Sequence, residues 1–179
     1  MDVLEAILTR RSIRQYGSGK IAQKDVDQLL KAAMYAPSAH NYQPWQFIVI
    51  QNKSTLNAIR KIHPYADMLK NAGLAIVVCG DYTLDKHIGY LVQACSAATQ
   101  NILLAAHGMD LGAVWLGVYP RENRLKRIAK LLGLPKELIP ISIVSVGIPA
   151  EQKEIKDRFK TERIHLNSWS RKMDNRKRG

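Results

Sequence analysis

Two short stretches of the chain hold residue types that could do chemistry with a ligand. The first is Arg10-Arg11-Ser12-Ile13-Arg14-Gln15-Tyr16. Three arginines fall within five residues, with a serine among them. Guanidinium groups grip phosphate at two points, and a hydroxyl adds a further donor. Each charge-assisted bond is worth roughly 1.5–3 kcal/mol. A solvated basic turn would contain the same residues, so this stretch decides nothing alone. The second runs from Ala36 to Phe47. Pro37 and Pro44 bracket a loop that cannot be helical. Between them sit Ser38, His40, Asn41, Tyr42 and Gln43, with Trp45 just beyond. Amides and hydroxyls beside an aromatic wall suit the rim of a planar, polar-edged ligand. An ordinary surface connection is the plain alternative.

These stretches need elements to hold them, and the chain alternates helical and extended patterns. Residues 2–9 read as a helix, so the arginines leave its C-terminal end. Residues 24–35 read as a second helix, with Val26, Leu29, Leu30, Ala33 and Met34 on one face. The bracketed loop links that helix to a strand over 45–50. Ser54 is a candidate N-cap for a helix carrying Leu56, Ile59 and Ile62. His63-Pro64 breaks that helix. Leu74 to Cys79 reads as a buried strand. Residues 87–107 form the longest helix, apolar on most sides, which places it in a core or a subunit interface. Leu111 to Val118 is a strand with Gly112 and Gly117, marks of close backbone approach. Residues 121–132 are an amphipathic helix and 139–146 the last strand. Interleaved strands and helices of this kind build a layered α/β or α+β domain. A single domain spans 1–169, followed by a basic tail at 170–179 that is expected to be disordered.

Composition and absences narrow the options. Lys plus Arg is 27 against 15 Asp plus Glu, a net charge of +12 that favours anionic partners. No signal peptide or membrane-length apolar run is visible, and Cys79 and Cys95 are too few for a disulfide framework. A cytoplasmic protein with free thiols is the expectation. There is no GxGxxG after a strand, no P-loop, no HExxH, no paired CxxC and no GxSxG. The five histidines show no ligand spacing, so no metal site is assigned.

The two opening stretches together resemble the nitroreductase family of FMN-dependent oxidoreductases, in the pattern RRSIRxY followed by APSAxNxQPWxF. The resemblance continues through residues 93–106, 112–120 and 146–149, and fits the compact branch of that family. It implies an α+β fold with a mixed, mostly antiparallel sheet flanked by helices. It implies FMN as cofactor, NADH or NADPH as donor, and a small-molecule acceptor such as a nitroaromatic or quinone, served by a ping-pong mechanism. Arg10, Arg11, Ser12 and Arg14 would hold the phosphate and one flavin edge, joined by Lys156 and Arg158 as a Lys-x-Arg pair. Asn41 and Gln43 would read the pyrimidine edge, with Pro37 and Ser38 lining the pocket. Backbone at Leu116-Gly117 would approach flavin N5. In the family the 36–47 loop comes from the partner subunit, so a homodimer is implied. No side chain is assigned as catalytic, because flavin N5 carries the hydride. His40, Tyr42 and Tyr65 are proton-donor candidates by type only, with solvent the preferred source. Gln93 departs from the family, where many members carry an acidic residue.

Two other readings use the same residues. A flavin-binding scaffold without turnover would keep the same motifs. A non-specific nucleic-acid binder would use the basic surface, but no aromatic-basic interleaving or helix-turn-helix pattern supports it.

Overall fold

The computed structural model describes residues 1–171, and from residue 172 onward the basic tail lies outside the described residues. Four strands, β1 (Trp45–Ile50), β2 (Leu74–Asp81), β3 (Gly112–Gly117) and β4 (Leu138–Gly147), form one sheet in the order β1-β2-β4-β3. All three pairings are antiparallel. The α+β class holds, and the described sheet is a narrower case than the mixed, mostly antiparallel one expected. Among the described residues, five α-helices accompany it: α1 (Val3–Thr9), α2 (Gln23–Met34), α3 (Lys53–Ile62), α4 (Ile88–Gly108) and α5 (Glu122–Leu132).

β2 is buried on both faces, which explains its unbroken apolar run. Side-chain alternation sends Ile76 and Val78, with Val144 and Val146, toward Leu29 of α2 and Leu91, Cys95 and Ile102 of α4. Val77 and Ile143 go the other way, toward Leu56 and Ile59 of α3 and Ile128 of α5. The result is three layers, helices on both sides of one sheet. Each fully buried Leu or Ile contributes about 1.5–3 kcal/mol. Burial pushes the thiols of Cys79 and Cys95 up to about 12, so both are inert packing groups.

The cap of α3 differs from the sequence reading. Asn52, not Ser54, accepts from the backbone N–H groups of Ser54 (2.9 Å) and Thr55 (3.2 Å). The carboxamide sits one residue before the helix, where its oxygen meets the orphan donors of the first turn.

The segment after α1 is fixed to the sheet by Tyr16. Its ring lies over Gly147, and its hydroxyl is 3.0 Å from Ile13 O and 3.2 Å from Ser145 O. A Cβ at Gly147 would stand 2.6 Å from Tyr16 Cγ, with the Tyr16 ring unable to give way. Gly112 is glycine for the same reason, since its Cβ would meet Ile13 Cγ2 at 2.8 Å. Gly147→Ala is therefore expected to lose about 1–3 kcal/mol of stability through overpacking. Thermal denaturation followed by circular dichroism would show this as a Tm several degrees lower.

Candidate functional site

The arginine stretch begins where α1 ends. Arg10 caps that helix, its N–H reaching Ala6 O. Arg11 turns inward: its Nη1 donates to Leu8 O (3.2 Å) and Arg10 O (2.9 Å), and its Nε to Glu154 O (2.9 Å). This guanidinium ties the 10–14 turn to the 150–158 segment by backbone carbonyls. Glu151 completes the tie, its Oε1 accepting from the N–H groups of Arg14 (2.6 Å) and Gln15 (3.2 Å). Burial raises the Glu151 carboxyl, but these donors and Lys153 outweigh it and hold its pKa below the usual range.

The tie leaves a depression of ≈ 490 Å³ lined by Arg10, Arg11, Ser12, Arg14, Lys153, Glu154, Lys156 and Arg158. Arg10, Arg14 and Arg158 form no ion pair among the described residues. Lys156 is 3.8 Å from Glu154 and exposed. Burial and the like charges of Arg158 and Arg11 lower the pKa of Arg10. The two lysines are paired with Glu151 and Glu154, so the three arginines carry the cluster's unpaired positive charge, a set suited to a multivalent anion.

β3 is an edge strand, and that edge leads away from the cluster. Val118 N–H donates to Ile141 O at 3.1 Å, so Val118 faces β4. Antiparallel alternation then turns the N–H and C=O of Gly117, Trp115 and Ala113 to the open side. Ala113 O accepts from Ile13 N–H there, at 3.0 Å. From Ala113, beside the arginines, to Gly117 the strand runs about 13 Å. A Cβ built on Gly117 meets nothing within 4 Å. Gly112 thus shows the close approach expected of strand glycines, while Gly117 faces open space.

Gly117 O is held by two side chains. His63 Nε2 and Arg124 Nη1 each stand 2.9 Å from it. His63 caps the C-terminal end of α3 and is 2% exposed. Its Nδ1 accepts from Tyr65 N–H at 3.2 Å, which puts the ring proton on Nε2.

The loop at 38–43 lies at the other edge of the sheet. Ser38 Oγ accepts from Gln43 N–H (2.9 Å) and Asn41 Oδ1 from Gln43 Nε2 (3.1 Å). His40, Asn41 and Gln43 have positive φ of 52°, 55° and 51°. Each costs of order 1–3 kcal/mol in a non-glycine residue. The loop is a single 3-10 turn over Ala39–Asn41, closed by Asn41 N–H to Ser38 O and Tyr42 N–H to Ala39 O, each at 3.1 Å. Pro37, Asn41 and Gln43 are exposed. His40 faces the start of α4, sharing a cavity with His87, Tyr90 and Gln93.

One protomer therefore brings together Arg10, Ser12, Arg14, Lys156 and Arg158, with Leu116-Gly117 farther along the same edge. It does not bring Pro37, Ser38, Asn41 and Gln43 to them, because three strand spacings, about 14 Å, separate the two edges. Leu116 is buried and its backbone N–H and C=O face Ile143 of β4, so of this pair only Gly117 turns its backbone to the open edge. His63, Arg124 and Glu151 are the site residues that sequence reasoning passed over. His63 and Arg124 are 61 residues apart and meet at a backbone carbonyl, which leaves no trace in residue type.

The fold is an α+β domain with a cluster of cations beside one edge of its sheet. The sequence profile of the Nitroreductase family matches residues 7–66 and 60–148. A protein of Methanothermobacter thermautotrophicus named "Putative NADH dehydrogenase/NAD(P)H nitroreductase" is 50% identical over 169 residues, 94% of this chain and 88% of that one. A solved structure of a protein of the same name from Parabacteroides distasonis superposes with a TM-score of 0.89 at 39% identity, covering 93% of this chain and 98% of that one. An FMN-dependent nitroreductase of Clostridium difficile gives 0.86 at 30% identity, covering 93% and 100%. The chain belongs to the nitroreductase family.

Burial holds the pKa of His63 below its ordinary 6.5. Its neutral form contributes stability that is complete above about pH 6.5 and is lost as pH falls through the lowered value. His107, lowered chiefly by burial and by Arg10, acts in the same direction. Wild type should therefore lose more Tm between about pH 7.5 and 5.5 than His63→Gln, whose remaining slope reports His107.

Proposed function

We propose that the chain is an FMN-dependent oxidoreductase, taking electrons from NADH or NADPH and delivering them to a small-molecule acceptor such as a nitroaromatic or quinone. The observation that carries this reading is the run of one sheet edge from an uncompensated arginine cluster to an open, glycine-ended strand. FMN matches it in shape, with a phosphate at one end and a planar, polar-rimmed ring at the other. When bound, the flavin supplies hydride and electron transfer, which the side chains present cannot do.

The chain's residues bind and orient. Arg10, Ser12 and Arg14 hold the phosphate, Arg158 adds charge from the facing segment, and Lys156 extends it. Arg11 braces that cradle from behind. The backbone at Leu116-Gly117 meets the ring. Ser38, Asn41 and Gln43, with Pro37 alongside, read the pyrimidine rim in a second copy of the chain. A homodimer is the arrangement that joins the two edges. α1 offers apolar surface for it, since Val3, Leu4, Ile7 and Leu8 are 50–74% exposed. Donor and acceptor use the same ring face in turn, so no separate nucleotide domain is needed. His40, Tyr42 and Tyr65 are exposed, and solvent supplies the protons.

Arg10→Ala should raise the FMN dissociation constant about tenfold to a hundredfold, read by flavin fluorescence on titrating apoprotein. Anaerobic NADH, then NADPH, should bleach the visible flavin band of the wild type. A band that persists with both would leave a flavin-binding scaffold. Sedimentation should show a dimer, and a monomer retaining FMN would sink the shared site.

A further inference from the structure

Gly117 poses a positioning problem that its own residue type cannot solve. It ends an edge strand, so no neighbouring strand fixes its outward N–H and C=O. It has no side chain to pack, and open space lies where a Cβ would stand. Its carbonyl is nonetheless the target of two convergent donors, each at 2.9 Å.

Those donors come from both helices on that side of the sheet. His63 terminates α3, and Arg124 lies in the first turn of α5. His63 is anchored on its other nitrogen by Tyr65 N–H, so the ring cannot flip without losing a bond. The Arg124 guanidinium lies 5.8 Å from the centre of the Tyr65 ring. Arg124 forms no ion pair among the described residues. The same Arg124 Nη1 lies 3.3 Å from His63 Nε2; with the ring proton on Nε2, both nitrogens converge as donors on one oxygen, which is more than strand termination requires.

On the other side of the same peptide, Val118 N–H is taken by Ile141 O at 3.1 Å. The 117–118 peptide plane is therefore held at its oxygen by two side chains and at its nitrogen by the sheet. That fixes ψ of Gly117 and, through the strand, the direction of its own N–H on the open edge.

We propose that His63 and Arg124 are positioning residues, a clamp that stands in for the missing neighbour strand and aims the Gly117 N–H at the bound ligand's ring. This rests on the FMN reading above, in which the ring lies at this end of the edge and the phosphate at the arginine end. Neither side chain touches the ligand. Both act through the Gly117 carbonyl.

The test separates the two ends of the site. FMN and riboflavin are each titrated into apoprotein of the wild type, Arg10→Ala, His63→Leu, His63→Gln and Arg124→Met. The ring-end clamp predicts that His63→Leu weakens both ligands by the same factor, roughly threefold to tenfold, as for one lost hydrogen bond. His63→Gln, which keeps a donor near the Nε2 position, should restore much of that loss. Arg10→Ala should weaken FMN alone. The ¹⁵N–¹H resonance of Gly117 in ligand-free protein should move in His63→Leu and return toward its wild-type position in His63→Gln. Arg124→Met asks the same question at a half-buried side chain, without opening the core, should His63→Leu fail to fold. An unmoved Gly117 resonance, or riboflavin binding unchanged in both His63→Leu and Arg124→Met while Arg10→Ala still weakens FMN, would overturn the clamp. Failure of the wild type to bind FMN would overturn the cofactor reading instead, and the Gly117 resonance would still judge the clamp.

Discussion

The unpaired outer edge of β3 is the constraint on which the rest of the site depends. An edge strand presents N–H and C=O groups that must find partners or face water. Here they are treated unequally along about 13 Å of strand. At one end Ile13 pairs with Ala113, and the packing of Tyr16 on Gly147 holds that segment in place. At the other end His63 and Arg124 take the Gly117 carbonyl. In the proposed reading, the outward groups between these two points are left for a ligand. Closing the edge with a fifth strand would bury the same groups and remove the site.

Sheet order sets what one chain can do alone. Because β2 and β4 occupy the middle, β1 and β3 are both edges, and the loop before β1 lies across the sheet from Gly117. The register makes this concrete: Phe47, Val78, Ser142 and Gly117 form one row across the four strands. The two candidate ligand surfaces therefore sit at the same end of the sheet on opposite sides. Each has the groups that the other lacks, amides and a hydroxyl at one and cations with a bare strand edge at the other. In the proposed homodimer, pairing two copies would bring them together and would also cover the exposed apolar side chains of α1.

The sequence displayed the parts of the site that depend on residue type and hid those that depend on backbone. Three arginines and a serine in one turn are visible as letters, and so is a loop bracketed by prolines. Helices with one apolar face and the doubly buried β2 were legible because burial imposes a period or removes it. The role of Arg11 was not, because whether a guanidinium faces ligand or carbonyl is decided by the 150–158 segment it binds. Nor was the clamp on Gly117, since a carbonyl has no letter of its own. The two strand glycines look alike in sequence, yet one lies under Ile13 and the other faces open space. Asn52 and Ser54 are both good caps two residues apart, and only the phase of the first helical turn chose between them.

The choice of arginine at the cradle follows from the same electrostatics. Arg10 is partly buried beside Arg158 and Arg11, and both burial and like charge lower its pKa. A lysine in that place, starting about two units lower, could escape by shedding its proton. Arginine begins so high that it stays charged, so the repulsion persists until an anion relieves it. That repulsion falls on segments that can bear it: residues 152–160 are all exposed and contribute nothing to the core. Screening by physiological salt, over about 8 Å, keeps the cost modest. A bound dianion would attract each guanidinium and so offset these repulsions. The cradle's cost without ligand and its affinity for one thus have a single origin, and ligand that binds only the folded chain stabilises it in proportion to the logarithm of its concentration once the site is filled.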